Sequence, residues 1–318
     1  MTTTILLIST DRAAELRHSL PAAIGQEDAE VVVLDNASTD ATADLAREHG
    51  ARHLRLERRL SWAAANNAGI AAAEGDSVLL LNADCFLQPD FLRHARARLS
   101  DPRVGAVAPK LVRTLGPGPG DRLDLLDAVG MRVDRTRRNN LAGHGRPRLA
   151  YETPGTAFGA DGAAALFRRE MLDECALDGQ VLDPAFEKWA SDVDLAWRAH
   201  LMGWTCAYEP RAVAYHVRSY GPSSRNSVPE TDRRVQFRNR YLMMLKNDSL
   251  LSFTRDLPRI AAFEVLAFGY ALLRERHLLR GYAEALRLAP DARRKGRAIA
   301  RMRRVDPRRV PFGLEPLA

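Results

Sequence analysis

Residues 78–84 read Val78-Leu79-Leu80-Leu81-Asn82-Ala83-Asp84, four apolar residues in a row that break into a polar pair and an acid. A run this short, with no polar alternation, is the pattern of a strand buried on both faces of a parallel sheet, and the acid falls at its carboxyl end. Upstream the same sentence is spoken twice more. Ile5 to Ile8 runs into Ser9-Thr10-Asp11-Arg12, and Val31 to Leu34 runs into Asp35-Asn36-Ala37-Ser38-Thr39-Asp40. Segments with helical spacing of small and apolar residues lie between, at 13–24, 40–49 and 63–73, and a short strand is predicted near His53–Leu56. Ser38 or Thr39 is the expected cap of the second helix. Strands alternating with helices at this pace give a parallel sheet with right-handed crossovers, whose ligand lies beyond the strand ends where the three polar loops converge.

Downstream, Gly116 to Pro154 turns rich in Gly, Pro, Asp and Arg, the composition of an inserted loop or small hairpin over a cleft. Gly162–Phe167 resumes an apolar strand, 168–175 and Asp192–Met202 have helical spacing, and Thr205–Tyr208 and Val213–His216 read as late strands. Beyond Val235 the pattern becomes long arginine-studded helices. The 318 residues carry a net charge of +7, and from Arg255 onward 15 Lys/Arg face 7 Asp/Glu, so the basic character belongs to the tail. The apolar stretch 260–273 is too short and too interrupted to span a bilayer, and suits packing on the core, a homodimer contact, or an anionic membrane surface. Without interleaved aromatics the basic tail does not point to nucleic acid. Three widely spaced cysteines (85, 175 and 206) and an N-terminus without a basic leader favour a cytoplasmic protein, with a peripheral place at the inner face of the membrane if the tail binds lipid.

Several enzyme classes are excluded by what the loops lack. No GxGxxG turn follows the first strand, no GxxxxGK[ST] occurs, and no glycine-rich basic loop opens the chain, which disfavours nicotinamide or flavin oxidoreductases, P-loop enzymes and nucleotidyltransferases. A strand-end acid is suited to a hard divalent cation such as Mg2+ or Mn2+, although acids there also serve as caps and turn formers.

The ordered set Ser9–Arg12, Asp35–Asp40, Asn66-Asn67-Ala68-Gly69-Ile70, Leu80–Asp84, Gly159–Arg169, Asp192-Val193-Asp194-Leu195 with Arg198, His216, and Arg238-Asn239-Arg240 resembles glycosyltransferase family 2, and within it the rhamnosyltransferase-like branch, over 4–247. The resemblance implies an α/β, GT-A type Rossmann-like mixed and mostly parallel sheet flanked by helices. It implies a catalytic domain over 1–247, with a nucleotide-sugar half at about 1–112 and an acceptor half at about 150–247, and a basic helical appendage over 248–318. It implies a metal-dependent, inverting hexosyltransferase acting from a nucleotide diphosphate sugar on a glycan or lipid-linked acceptor, as in cell-surface polysaccharide synthesis. Asp35 would then meet the nucleotide base, with Ser9, Asp11, Asn67 and Asn82 on the donor. Asp84 and His216 would hold the metal, and Arg218, Arg238 and Arg240 would contact the diphosphate. Asp192 would be the general base, with Asp161 and Trp189 toward the acceptor and Trp204 as a second aromatic for a sugar face.

Asp194, two residues from Asp192 on a helix, points away from it and is expected to pair with a basic residue. Ser191 stands where the family has Glu, and Asn82 where it has a first acid; both keep open a non-catalytic, nucleotide-sugar or glycan-binding member of the fold.

Overall fold

A computed structural model describes residues 1–218 and 227–314. Strands β1 (Thr3–Ser9), β2 (Ala29–Asp35), β3 (Arg52–Arg55) and β4 (Ser77–Asn82) alternate with helices α1 (Ala13–Ile24), α2 (Thr42–Glu48) and α3 (Trp62–Ala72). The chain continues through β5 (Cys85–Leu87), α4 (Phe91–Arg98), β6 (Val104–Thr114), β7 (Arg122–Ala128), β8 (Met131–Val133), β9 (Asn139–Leu141), β10 (Gly155–Ala157) and β11 (Ala164–Arg168). After α5 (Arg169–Cys175) and α6 (Ser191–Met202), strand β12 (Thr205–His216) is followed by α7 (Glu230–Asn247), α8 (Leu250–Leu273) and α9 (His277–Met302).

The sheet runs β10-β12-β6-β11-β4-β1-β2-β3. β1, β2, β3 and β4 are parallel, β11 enters antiparallel between β4 and β6, and β12 lies parallel to β6. Only β10 and β11 on this path therefore oppose the common direction, so the sheet is mixed and mostly parallel. Its interior strands read as continuous apolar runs because helices cover both faces: Leu6, Leu7, Leu79 and Leu81 are all fully buried. The register sets Ser9 beside Asp35 and Ile8 beside Asn82, which brings the three polar loops to one edge.

Two local expectations are corrected. Neither Ser38 nor Thr39 caps α2; the Asp40 carboxylate takes the Thr42 N–H at 3.1 Å instead, while the Ser38 N–H is spent on Asp35. The two late strands are one, β12, interrupted by an irregularity between Glu209 and Val213. β6, which the sequence reading passed over, pairs with β11, β12 and β7. The 116–154 insert holds a small hairpin of the kind its composition suggested, β8 paired with β9, and adds β7 to the edge of β6.

Candidate active site

β4 ends at Asn82, and the chain turns sharply into β5, which pairs with the end of β12. That pairing carries His216 to Asp84: His216 Nε2 lies 3.5 Å from Asp84 Oδ1, an atom that is buried and has no hydrogen-bond partner among the described residues. The other ring nitrogen, Nδ1, is 2.8 Å from Asp127 Oδ2. Arg218 Nε donates to Asp127 Oδ1 at 2.7 Å, and its NH2 donates to Asp161 Oδ2 at 2.9 Å. A line of charged side chains, Asp84–His216–Asp127–Arg218–Asp161, thus runs from the end of β4 to the cleft beside α6.

Electrostatics along this line are set by burial and pairing. Burial opposes an imidazolium at His216, but Asp127 and Asp84 on its two nitrogens outweigh it and lift the pKa to about 9. Burial would raise Asp84 and Asp127; the His216 ring, bonded to Asp127 and lying 3.5 Å from Asp84, reverses the sign for both, helped at Asp84 by nearby Arg12 and at Asp127 by Arg218. Asp192 differs. Burial and the neighbouring Asp161 charge raise it to about 6, and among the described residues it accepts from the N–H groups of Val193 at 2.9 Å and Gly162 at 3.2 Å. Gly162 is required there, because a Cβ would sit 2.7 Å from the Trp62 ring. Asp161, Trp189, Asp192 and Arg218 share a cleft of about 390 Å3. Trp189 and Ala190, which aim this edge of the cleft, both hold positive φ, a run of left-handed backbone just ahead of α6.

The remaining candidates are distributed differently. Ser9 is buried and bonded to Thr42 at 3.0 Å. Asp11 holds the Thr39 N–H at 2.7 Å and pairs with Arg59. Asp35 is wholly buried and binds the Ser38 N–H, His53 Nε2 at 3.0 Å and Arg55 NH1 at 2.7 Å, which together overcome burial and lower its pKa. Asn82 Oδ1 accepts from the Trp62 indole at 3.2 Å.

Asn67, Arg238 and Arg240 are engaged inside the scaffold. The Asn67 amide bonds Gln180 and both the O and N of Leu182, which pins the 177–182 loop to α3. Arg238 is spent on Asn239, Glu187 and the Ala185 carbonyl, and Arg240 on Glu264 and the Thr136 carbonyl. Trp204 is buried with its indole on Glu174, not in the cleft. Asp194 pairs as expected with a base, here with both Arg198 and Lys246 in the core.

Asp127, His53 and Arg55 were missed. Asp127 had one visible signal, a lone acid in the apolar run Leu125-Leu126-Asp127-Ala128, but its partner is 89 positions away.

Parallel strands that end in polar loops, with a buried acid–histidine pair at one strand end and an isolated basic carboxylate across the cleft, place the chain in the GT-A class of folds. Residues 4–176 match glycosyl transferase family 2, and the chain belongs to that family. Among sequences it is similar to the uncharacterized protein y4gI of Sinorhizobium fredii, 28% identical over 74% of this chain and 26% of that protein. The chain spans about a quarter of the length of the curated relatives it matches.

Among solved structures it resembles the mannosyltransferase PcManGT of Pyrobaculum calidifontis in complex with GDP-Man and Mn2+, with 20% identity, TM-score 0.55, and 94% of this chain and 80% of that one covered. It also resembles S. aureus TarS residues 1–349 in complex with UDP-GlcNAc, with 17% identity, TM-score 0.58, and 95% and 90% covered. At these identities the likeness is one of fold.

Proposed function

We propose that this protein is an inverting glycosyltransferase that moves a sugar from a nucleotide diphosphate sugar to an acceptor hydroxyl with a divalent cation, Mg2+ or Mn2+. The observation that carries the reading is the line from Asp84 and His216 through Asp127 and Arg218 to Asp161, ending beside a carboxylate of raised pKa, Asp192. Family membership and the nucleotide-sugar complexes of two similar folds support it.

Asp84 Oδ1 and His216 Nε2 would fit a divalent cation that takes the place of the Nε2 proton, since a ligating imidazole nitrogen must be unprotonated. One is an orphaned buried oxygen, and their 3.5 Å separation is close to the roughly 3 Å between neighbouring ligands each about 2.1 Å from Mg2+. Among the described residues no three His, Cys, Asp or Glu side chains group as a complete metal site, which suits a cation that also takes oxygens from a bound diphosphate. When bound, such an ion neutralises the charge of a diphosphate leaving group. Asp127, on the far ring nitrogen, fixes the orientation of His216, as carboxylates behind ligating histidines do.

Asp192 takes the proton of the acceptor hydroxyl as that oxygen bonds the anomeric carbon from the face opposite the leaving group; the bond to the diphosphate oxygen breaks and the nucleotide departs with the electron pair. Asp161, locked by Arg218, keeps Asp192 basic, and Trp189 offers the acceptor an aromatic face. On the donor side, Asp35 acts through His53 and Arg55, whose side chains are 28% and 50% exposed and reach the nucleotide base where the buried carboxylate does not. Rhamnose is the sugar to try first, from the branch the sequence resembles.

The test is thermal stability against UDP, GDP, dTDP and CDP, each with and without Mn2+ or Mg2+. A nucleotide at about 100 times its Kd stabilises by about 2.7 kcal/mol. A metal-dependent rise with one nucleotide, lost in Asp84→Ala, is the expected result. No rise with any of them overturns the donor site and favours the non-catalytic reading.

A further inference from the structure

α8 is 24 residues long and turns only a narrow side to the protein: Ser252, Asp256, Ile260 and Ala271 are buried, while Leu250, Val265, Leu266 and Leu273 are each more than 70% exposed. Between Leu257 and Leu273 the exposed positions of the helix carry a single charge, Arg259. A soluble surface does not leave an apolar stripe about 26 Å long in water without a use. The helix is nonetheless not a membrane span, since no helix among the described residues is long and apolar enough to cross a bilayer.

Charge on α8 is sorted by side. Its two acids face inward, Asp256 onto Arg137 and Glu264 onto Arg240 and Tyr241, whereas Arg255, Arg259, Arg274 and Arg276 at its edge and end are exposed. No acid is exposed on the helix, whose outward face is therefore apolar with cationic edges. A second copy laid on this face would bring arginines against arginines; anionic headgroups over an acyl layer complement both properties.

The position of the face matters as much as its chemistry. A groove of about 760 Å3 runs between α7 and α8, walled by Phe237, Phe263, Leu266 and Tyr270. Its rim residues Asn139, Asn140, Arg233 and Gln236 also line the cleft that holds Asp192. The apolar flank of α8 thus opens directly into the acceptor side of the site.

We propose that the exposed face of α8 lies on an anionic lipid surface, so that the acceptor meets Asp192 from that surface along the α7–α8 groove. The direction of acceptor entry rests on the reading of Asp192 as the base; the docking itself does not. The full chain should sediment with vesicles of equimolar phosphatidylglycerol and phosphatidylcholine and stay in the supernatant with phosphatidylcholine alone. Val265→Glu with Leu273→Glu, both on the exposed face, should weaken vesicle binding at least about tenfold, and Arg259→Glu or Arg276→Glu roughly fivefold each.

Equal recovery in the supernatant with and without anionic vesicles overturns the proposal. So does a dimer in light scattering that the Val265→Glu, Leu273→Glu variant dissociates without vesicle binding by the parent chain. The nucleotide-dependent thermal shift, measured on the same samples, keeps the two readings apart: retained with no vesicle binding, it sinks the docking alone, and absent with vesicle binding intact, it sinks the donor site alone.

Discussion

A carboxylate that removes a proton from an alcohol must be ionised at working pH and yet more basic than a free aspartate, and the position of Asp192 meets both demands. With a pKa of about 6, raised by burial and by Asp161, it is charged at pH 7. In assays of transfer, kcat/KM should fall about tenfold per unit as pH drops below 6, and Asp192→Asn should lose about 10²–10⁴-fold at pH 7. The linkage runs opposite to activity. A folded pKa above the ordinary value means that the folded state holds this proton more tightly, so the group's favourable contribution is full below about pH 4 and is lost as pH rises through 6. At pH 7 the wild-type carboxylate is a burden, and Asp192→Asn should melt higher, by up to about 3 kcal/mol of stability. A variant both inactive and less stable at pH 7 would contradict the assignment. Asp192 was singled out through the short motif by which the chain resembles its family, and helix periodicity added only that Asp194 points away from it. Asp127 was not legible, because its value lies in a bond to His216 that exists only once β12 returns beside β5 and β7 beside β6.

At the scale of elements, helices α6, α7 and α9 are tied by charges in the interior. Lys246 on α7 donates to Asp194 of α6 and to Asp183, each at 2.7 Å, and Lys295 of α9 reaches the other oxygen of Asp183 at 2.8 Å. Lys246 is essentially unexposed; burial, with Arg198 nearby, holds its pKa below the usual lysine value, and the two carboxylates offset only part of that. The helices cross so closely there that a Cβ on Gly296 would sit 2.9 Å from the Lys246 carbonyl. Removing one partner from such a network leaves buried charge behind, so Lys246→Met should cost about 3–5 kcal/mol in urea unfolding, with nucleotide binding retained in the folded fraction. A cost under about 1 kcal/mol would mean that the pair is solvated and unimportant. Sequence periodicity found these helices, since amphipathic spacing survives without knowledge of partners. It could not say which acids they enclose, because Asp183, Asp194 and Lys295 sit in segments scattered over more than a hundred positions.

The whole molecule poses the question of whether residues 248–314 form an appendage, as composition suggested, or part of one cooperative body. Composition registers the arginines, which are mostly outside, and is blind to the contacts inside. Arg137, fully buried in the insert, is held by Asp248 and Asp256 at the start of the last segment. Phe312 packs edge-on against Trp197 of α6 with ring centres 4.9 Å apart, and the Gly313 N–H donates to the Val133 carbonyl of β8. Arg304 pairs with Glu174 of α5. These ties close the C-terminal segment onto the insert, α5 and α6, and each would have to break before either part could unfold alone. Helical signal at 222 nm and tryptophan fluorescence should therefore report one urea transition with coincident midpoints, and Arg137→Met should shift both to lower urea together. An early loss of helix with fluorescence unchanged would show that α8 and α9 melt first on their own. The face of α8 would then be carried by a separable unit, and the acceptor half would have to hold Asp192 in place without it.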